Sequence, residues 1–172
     1  MTQSKDIISI SFKWDKTTTF ITVLSLIVLI GAVIGLEFAP FKGSDIWIKI
    51  FIQIFLIASV LFAYSLMPVR LSVNPEQVTI KKPFNTLDIP MKDIVEIKSI
   101  QKQSLKNSIR TFGSGGLFGY LGYFYNKELG NYTMYTTETE NLILIRTNIK
   151  KYVLSCTKSE EFIDYIKDKI PV

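Results

Sequence analysis

Residues able to do chemistry are sparse in this 172-residue chain, and the absences among them exclude most enzyme classes. Histidine does not occur. That removes Ser-His-Asp and Cys-His nucleophilic systems, zinc sites of the HExxH type and any histidine general base. The single cysteine, Cys156, permits neither an intramolecular disulfide nor a thiolate metal cluster. It lies in the apolar run 152–156, where a small buried residue is the better reading than a reactive thiol. Catalysis would therefore need a pair of carboxylates, and the candidates, Glu138 and Glu140, fall in an evident turn. The expectation is a non-enzymatic protein with no metal and no cofactor.

Two further constellations bear on binding. Lys98, Lys102, Lys106 and Arg110 recur every four residues, a spacing that shares one face of a helix and, being even, one face of a strand. If ordered, they form a basic stripe suited to anionic headgroups, and a solvated face is the plainer alternative. Beside them, six of the nine glycines fall within residues 110–130. They are interleaved with Phe112, Phe118, Tyr120, Tyr123, Phe124 and Tyr125. The segment is not GxGxxG, no Gly-Lys-Ser/Thr follows, and it does not lead from a buried strand into a helix, so a phosphate-cradling loop is disfavoured. It reads instead as a long hairpin connection that folds on itself, within a region irregular in pattern. Its glycines take positive φ or allow close approach, and its aromatics, Phe118 and Tyr120 among them, cover the domain or meet a membrane interface.

The elements that must position these groups begin with two apolar runs. Residues 17–36 carry no charge, and residues 50–67 have only Gln53 as a strongly polar interruption. Each is close to the roughly 20 residues an α-helix needs to cross a bilayer at about 1.5 Å per residue. A transmembrane hairpin over 17–67 is expected, with helices at 17–36 and 47–67. Pro40 and Gly43 mark its turn and Trp47 is an interfacial aromatic. The polar start and the lack of a small-residue cleavage site argue against a cleaved signal. Lys5, Lys13 and Lys16 precede the first run and Arg70, Lys81 and Lys82 follow the second. Between them stand Lys42 and Lys49, which favours both termini in the cytoplasm. Gly31 and Gly35 give a GxxxG spacing whose simplest use is packing on the second helix. A homo-oligomer is the sharper use.

From Val69 onward the composition is that of a soluble domain, with 15 basic and 11 acidic residues. That mild excess does not suggest nucleic acid. Alternation at 69–73 and 78–80, and short runs between turn signals at 87–89, 94–98, 132–137, 142–147 and 151–156, predict roughly seven strands in all. Thr157 and Glu160 form a capping-box pattern. Phe162, Ile163, Ile166 and Ile170 then share one face of a helix expected over 158–170. Within residues 1–16, Ile8, Ile10, Phe12 and Trp14 alternate with polar residues. They suggest a cytoplasmic strand that joins the C-terminal sheet; a frayed tail with Trp14 at the interface is the alternative.

The two spans, the strand-rich tail, the phrase IRTFGSGGLFGYLGYFYNKELGNYTMYTT and the final helix after NLILIRTNIKKYVLSC resemble bacterial pleckstrin-homology (PH) domain membrane proteins. RTFGSGGLFGY is the most specific part. The resemblance covers the chain from about Thr17 onward. It implies an α+β, mostly β fold in which a two-helix membrane hairpin precedes a PH-like seven-stranded antiparallel barrel or sandwich over 69–172. A C-terminal helix would cap one open end. It brings no catalytic set. Eukaryotic relatives often bind phosphoinositides through a basic first hairpin, and here that hairpin offers only Lys81 and Lys82 beside Pro83, a poor match.

The expected role is a membrane-anchored adaptor at the bacterial cytoplasmic (inner) membrane, serving an unknown protein partner or the adjacent lipid surface. Lys98, Lys102, Lys106, Arg110, Phe118 and Tyr120 are its candidate headgroup or partner contacts. The alternative is an accessory subunit of a membrane enzyme or transporter in which the helices are the essential part.

Overall fold

The computed structural model describes residues 8–170, so the outermost parts of the expected N-terminal segment and C-terminal domain lie outside the described residues. The first apolar run forms α1 (Lys16–Phe38), started by Asp15, whose carboxylate accepts from the Thr18 amide at 2.7 Å. The second forms α2 (Ile46–Leu66), which stops where Met67 turns extended ahead of Pro68. At 23 and 21 residues, both exceed the roughly 30 Å of a hydrocarbon core. Both are apolar on nearly every face, and their large side chains, such as Phe20, Ile27, Phe51 and Phe55, stand exposed. These helices are long and apolar enough to cross a membrane.

Gly31 and Gly35 do not serve the contact between the helices, contrary to expectation, for nothing lies within 4 Å of where a Cβ on either would sit. An apolar cleft of about 280 Å³ lies between the helices, faced by Leu29, Val33, Leu56 and Val60 among others. At its far end Gln53 donates to the Glu37 carboxylate at 2.6 Å, and Lys49 pairs with the same group.

The rest of the chain folds into two sheets. The smaller is an antiparallel meander of β1 (Ile8–Ser11), β2 (Arg70–Val73), β3 (Gln77–Lys81) and β4 (Thr86–Pro90). The larger runs in the order β5 (Ile94–Ile100), β9 (Leu142–Thr147), β10 (Lys151–Ser155), β8 (Gly130–Thr136), β7 (Gly119–Asn126), β6 (Ile109–Gly116). All its pairs are antiparallel except β8 with β10, which is parallel. The expected seven-stranded antiparallel barrel or sandwich is thereby corrected in strand number and in closure: the described residues form ten strands in two separate sheets, which do not close into a barrel. Two of the extra strands, β6 and β7, make a regular hairpin of the glycine–aromatic segment, which was expected to be a hairpin connection without strands. Gly113 and Gly122 face each other in the ladder, both at positive φ. Residues without a side chain erase the alternation by which a strand is recognised.

The core lies between the sheets. Leu71, Val73, Val78 and Ile80 of the small sheet meet Ile143, Ile145 and Leu154 of the large one. One end is closed by α3 (Ser159–Lys167), which inserts Phe162, Ile163 and Ile166. This helix is shorter than the expected 158–170, and its capping box does not form. Lys158 occupies the N-cap position without a side-chain cap, while Glu160 and Glu161 in the first turn favour the positive end of the helix dipole. Cys156 lies in the same core, where burial pushes its thiol up to about 11.

The first part of the predicted N-terminal alternation forms β1, and Phe12 and Trp14 lie beyond its end. Its backbone pairs with β2 from Ile8↔Val73 to Ser11↔Arg70, and Ile8 and Ile10, each 8% exposed, enter the core. Because β1 leads into α1 and α2 leads into β2, both ends of the helical hairpin are tied to one sheet.

Candidate functional site

The helical hairpin and the β-domain meet at a second place, the turn between β6 and β7. Gly116 and Gly119 close the ladder there, leaving Leu117 and Phe118 as a two-residue loop. Phe118 adopts φ +61°, unusual for a residue with a side chain. Thr22 of α1 holds this conformation. Its hydroxyl accepts from the Phe118 amide at 2.9 Å and donates to the Gly116 carbonyl at 3.3 Å, and Thr22 is 1% exposed. One helical hydroxyl thus satisfies two polar groups of the turn in an apolar setting, where leaving them unpaired is costly. The Phe118 ring sits between Trp14 at 6.0 Å and Tyr64 at 5.6 Å, in a cluster with Ala63 and Leu121. Phe112 packs edge-on against Phe62 of α2 at 5.7 Å. Just before α1, the Asp15 amide donates to the Thr137 carbonyl, and the Thr137 hydroxyl donates to the carbonyl of Lys13 at 2.7 Å.

The second feature is a cavity of about 550 Å³ on the outer face of the large sheet, within the roughly 300–1,000 Å³ of small-molecule sites. Its existence follows from strand order. Because β5 and β6 are opposite edges of the sheet, residues 101–108 between them must cross one of its faces. The crossing is anchored at both ends. Lys102 donates to the Thr139 hydroxyl at 3.4 Å on one side. On the other, Asn126 donates to the Ser104 carbonyl at 2.8 Å, and the Tyr132 hydroxyl donates to Ser108 at 2.7 Å. Leu105 reaches down onto a sheet face made by Phe124, Tyr132, Met134, Leu144 and Val153. Where the bridge does not touch the sheet, Phe124, Tyr132, Met134 and Leu142 remain as an apolar floor. Burial raises the Tyr132 phenol, and its hydrogen bond to Ser108 partly offsets the shift.

The predicted basic residues do not form one stripe. Lys98 lies on β5 and pairs with Glu96 at 2.8 Å, a carboxylate it shares with Arg146, so it stands apart from the cavity. Lys102 lies in a 3-10 turn (Lys102–Leu105), Lys106 follows it, and Arg110 is on β6. The helical and strand periodicities both fail because no single element carries all four. The crossing nevertheless brings Lys102, Lys106 and Arg110 together around the cavity, with Tyr120 on its wall. Phe118 belongs to the helix contact. Ser108, Asn126 and the floor residues were not legible as a site, since only strand pairing places them side by side.

No three of His, Cys, Asp and Glu converge as metal ligands among the described residues. Glu138, one of the candidate acids, lies in the turn between β8 and β9. Burial raises its carboxyl above the usual range, assisted by Asp15 and Glu140 and opposed by Asn141 and Lys13. A carboxyl with a raised folded-state pKa supports the fold fully below its unfolded pKa and loses that support as pH climbs through the folded value. Glu138→Gln is therefore expected to melt higher than the parent at pH 7. The gain should vanish as the pH falls below the ordinary carboxylate range, read by thermal unfolding in detergent across pH. A constant difference at every pH would contradict this assignment.

Elsewhere, Lys82 leans over the ring of Tyr135 at 4.9 Å, and burial lowers its ammonium while pushing the Tyr135 phenol up to about 12. The contact directs Lys82 into the protein instead of outward.

A family model described as bacterial PH domain matches residues 69–170, the span from β2 to α3 and its following turn. No curated protein and no solved structure matches the chain. Two apolar helices, a two-sheet β-domain, a closing C-terminal helix and this match place the chain in the bacterial PH domain family.

Proposed function

We propose that this chain is a non-enzymatic, membrane-anchored PH-like module on the cytoplasmic face of the bacterial inner membrane. It acts as an adaptor for a protein partner or for the adjoining lipid surface. The observation that carries the reading is the double attachment of the domain to its anchor. The β1–β2 pair ties both ends of the helical hairpin to one sheet, and Thr22 clasps the Gly116–Phe118 turn. A domain on a flexible tether would sweep many orientations. One held at two places presents a constant surface at headgroup height, which is what recruitment to a membrane requires. Lys13, Lys16 and Arg70 beside the helices favour cytoplasmic ends. The absence of histidine supports a binding role over a catalytic one.

The second reading, an accessory subunit of a membrane enzyme or transporter, is favoured by the unfilled surface at Gly31 and Gly35. Exchange of residues 24–59 for an unrelated apolar hairpin separates the two, because it spares the turns of α1 and α2 that touch the domain. The adaptor reading expects crosslinking of the intact protein in its own membrane to yield the same partners before and after the exchange. Loss of those partners on exchange would overturn it in favour of the subunit.

A further inference from the structure

We infer that the cavity under the 101–108 crossing is a binding site for one single-chain anionic amphiphile. The hydrocarbon chain lies on Phe124, Tyr132, Met134 and Leu142, and the acidic head is held by Arg110 and Lys102. The assignment deepens the lipid side of the adaptor reading.

Charge is the first argument. Lys102, Lys106 and Arg110 line the cavity, no Asp or Glu does, and none of the three cations is in an ion pair among the described residues. By contrast Lys98, just outside, has its carboxylate. Three unpaired cations beside an apolar floor match a ligand with a negative end and a greasy end, and match poorly a neutral or wholly polar one.

Position is the second argument. The Arg110 side chain folds along the β6–β7 hairpin onto Gly115, where an added Cβ would come within 2.6 Å of a guanidinium nitrogen. The arginine thus covers the bare backbone at Gly115. The next residue, Gly116, meets Ile21 of α1, a built Cβ there falling 2.7 Å from the Ile21 side chain. Lys102 is held at Thr139, two residues from the Thr137 that binds the chain just ahead of α1. Arg110 and Lys102 therefore stand at the end of the cavity that adjoins the helices. Phe124, Tyr132 and Ser108 lie toward the other end, near Asn126. A lipid leaving the bilayer surface would meet cations first and an apolar floor behind them. The head is a phosphate if the molecule derives from a phospholipid and a carboxylate if it is a free fatty acid.

Methionine methyl NMR on the full chain tests the site. Met134 is on the cavity floor, and Met91 lies in the core between the sheets as an internal control. The protein, labelled at the methionine methyl carbons and held in neutral phosphatidylcholine nanodiscs, is titrated with dodecyl phosphate, dodecanoate and dodecanol. A saturable shift of Met134 with either anion, with Met91 unmoved, is expected. Arg110→Gln and Lys102→Gln, both on exposed residues, should each weaken binding about tenfold. Tighter binding of dodecyl phosphate would assign a phospholipid source, and tighter binding of dodecanoate a fatty acid. The inference is overturned if Met134 does not move, if dodecanol binds as well as the anions, if both substitutions leave affinity unchanged, or if inorganic phosphate alone binds as tightly. The assay contains no partner protein and no anionic bilayer, so a negative result removes this ligand and leaves the adaptor reading standing.

Discussion

Phe162→Asp is expected to unfold the β-domain of the full-length chain at growth temperature. Phe162 is fully buried and occupies the centre of the face that α3 turns to the sheets, beside Ile163 and Ile166. The substitution removes an aromatic side chain whose truncation alone costs about 3–5 kcal/mol. It also places a carboxylate in an apolar site, where burying an unpaired charge costs more still. The loss would consume most of the roughly 5–15 kcal/mol that holds a domain of this size together. Loss of the cooperative transition in detergent, with α1 and α2 remaining helical by circular dichroism, is the expected observation. A melting temperature equal to the parent's would show that α3 does not close the core.

Gly122→Ala should have the next largest effect, through the backbone. Gly122 has φ +114°, and a Cβ built on it falls 2.3 Å from the carbonyl oxygen of Phe112 across the ladder. Its partner Gly113 is the mirror case, with a Cβ falling 2.0 Å from the Leu121 carbonyl. The facing backbones are too close for any side chain between them. Strain at such a φ costs about 1–3 kcal/mol, and the overlap adds about 1–3 kcal/mol unless the strands part. Parting them moves the Gly116–Phe118 turn and breaks its hydrogen bonds with Thr22. Hydrogen exchange should therefore quicken at the Phe118 and Leu121 amides, while the Leu154 amide in β10 stays slow. Unchanged exchange at Phe118 would show that the hairpin and the helix are not mechanically linked.

The contrast between these two sites shows how unevenly the fold was legible. The apolar runs that became α1 and α2 were plain because a span long enough for a membrane needs only composition and length. A strand such as Gln77–Lys81 was plain because one face is buried, which writes a period of two into the residues. Leu142–Thr147 and Lys151–Ser155, buried on both faces, were plain instead as short apolar runs between turns. The short strand at Ile8–Ser11 was legible by the same alternation as Gln77–Lys81, and a neighbour for it could be inferred from the return of the helical hairpin. The β6–β7 segment was legible as a hairpin connection and not as two strands of the sheet, since Gly113 and Gly122 act through the backbone and leave no side-chain pattern. The capping box at Thr157 failed because α3 begins beyond it, so that Thr157 is not the N-cap.

By itself, then, the sequence determined the class of the protein: two apolar helices, a β-rich domain behind them, and little means for histidine- or thiolate-based chemistry. All of that follows from composition and local periodicity. The tertiary structure decided where the cations gather. Lys98 to Arg110 looked like one stripe by spacing, yet the order of strands in the large sheet put β5 and β6 at opposite edges. Only a crossing over the sheet face could connect them, and that crossing leaves Lys98 with Glu96 while bringing Lys102, Lys106 and Arg110 to one cavity. Strand order rests on pairing between residues far apart in the chain, and no window of neighbouring residues contains it.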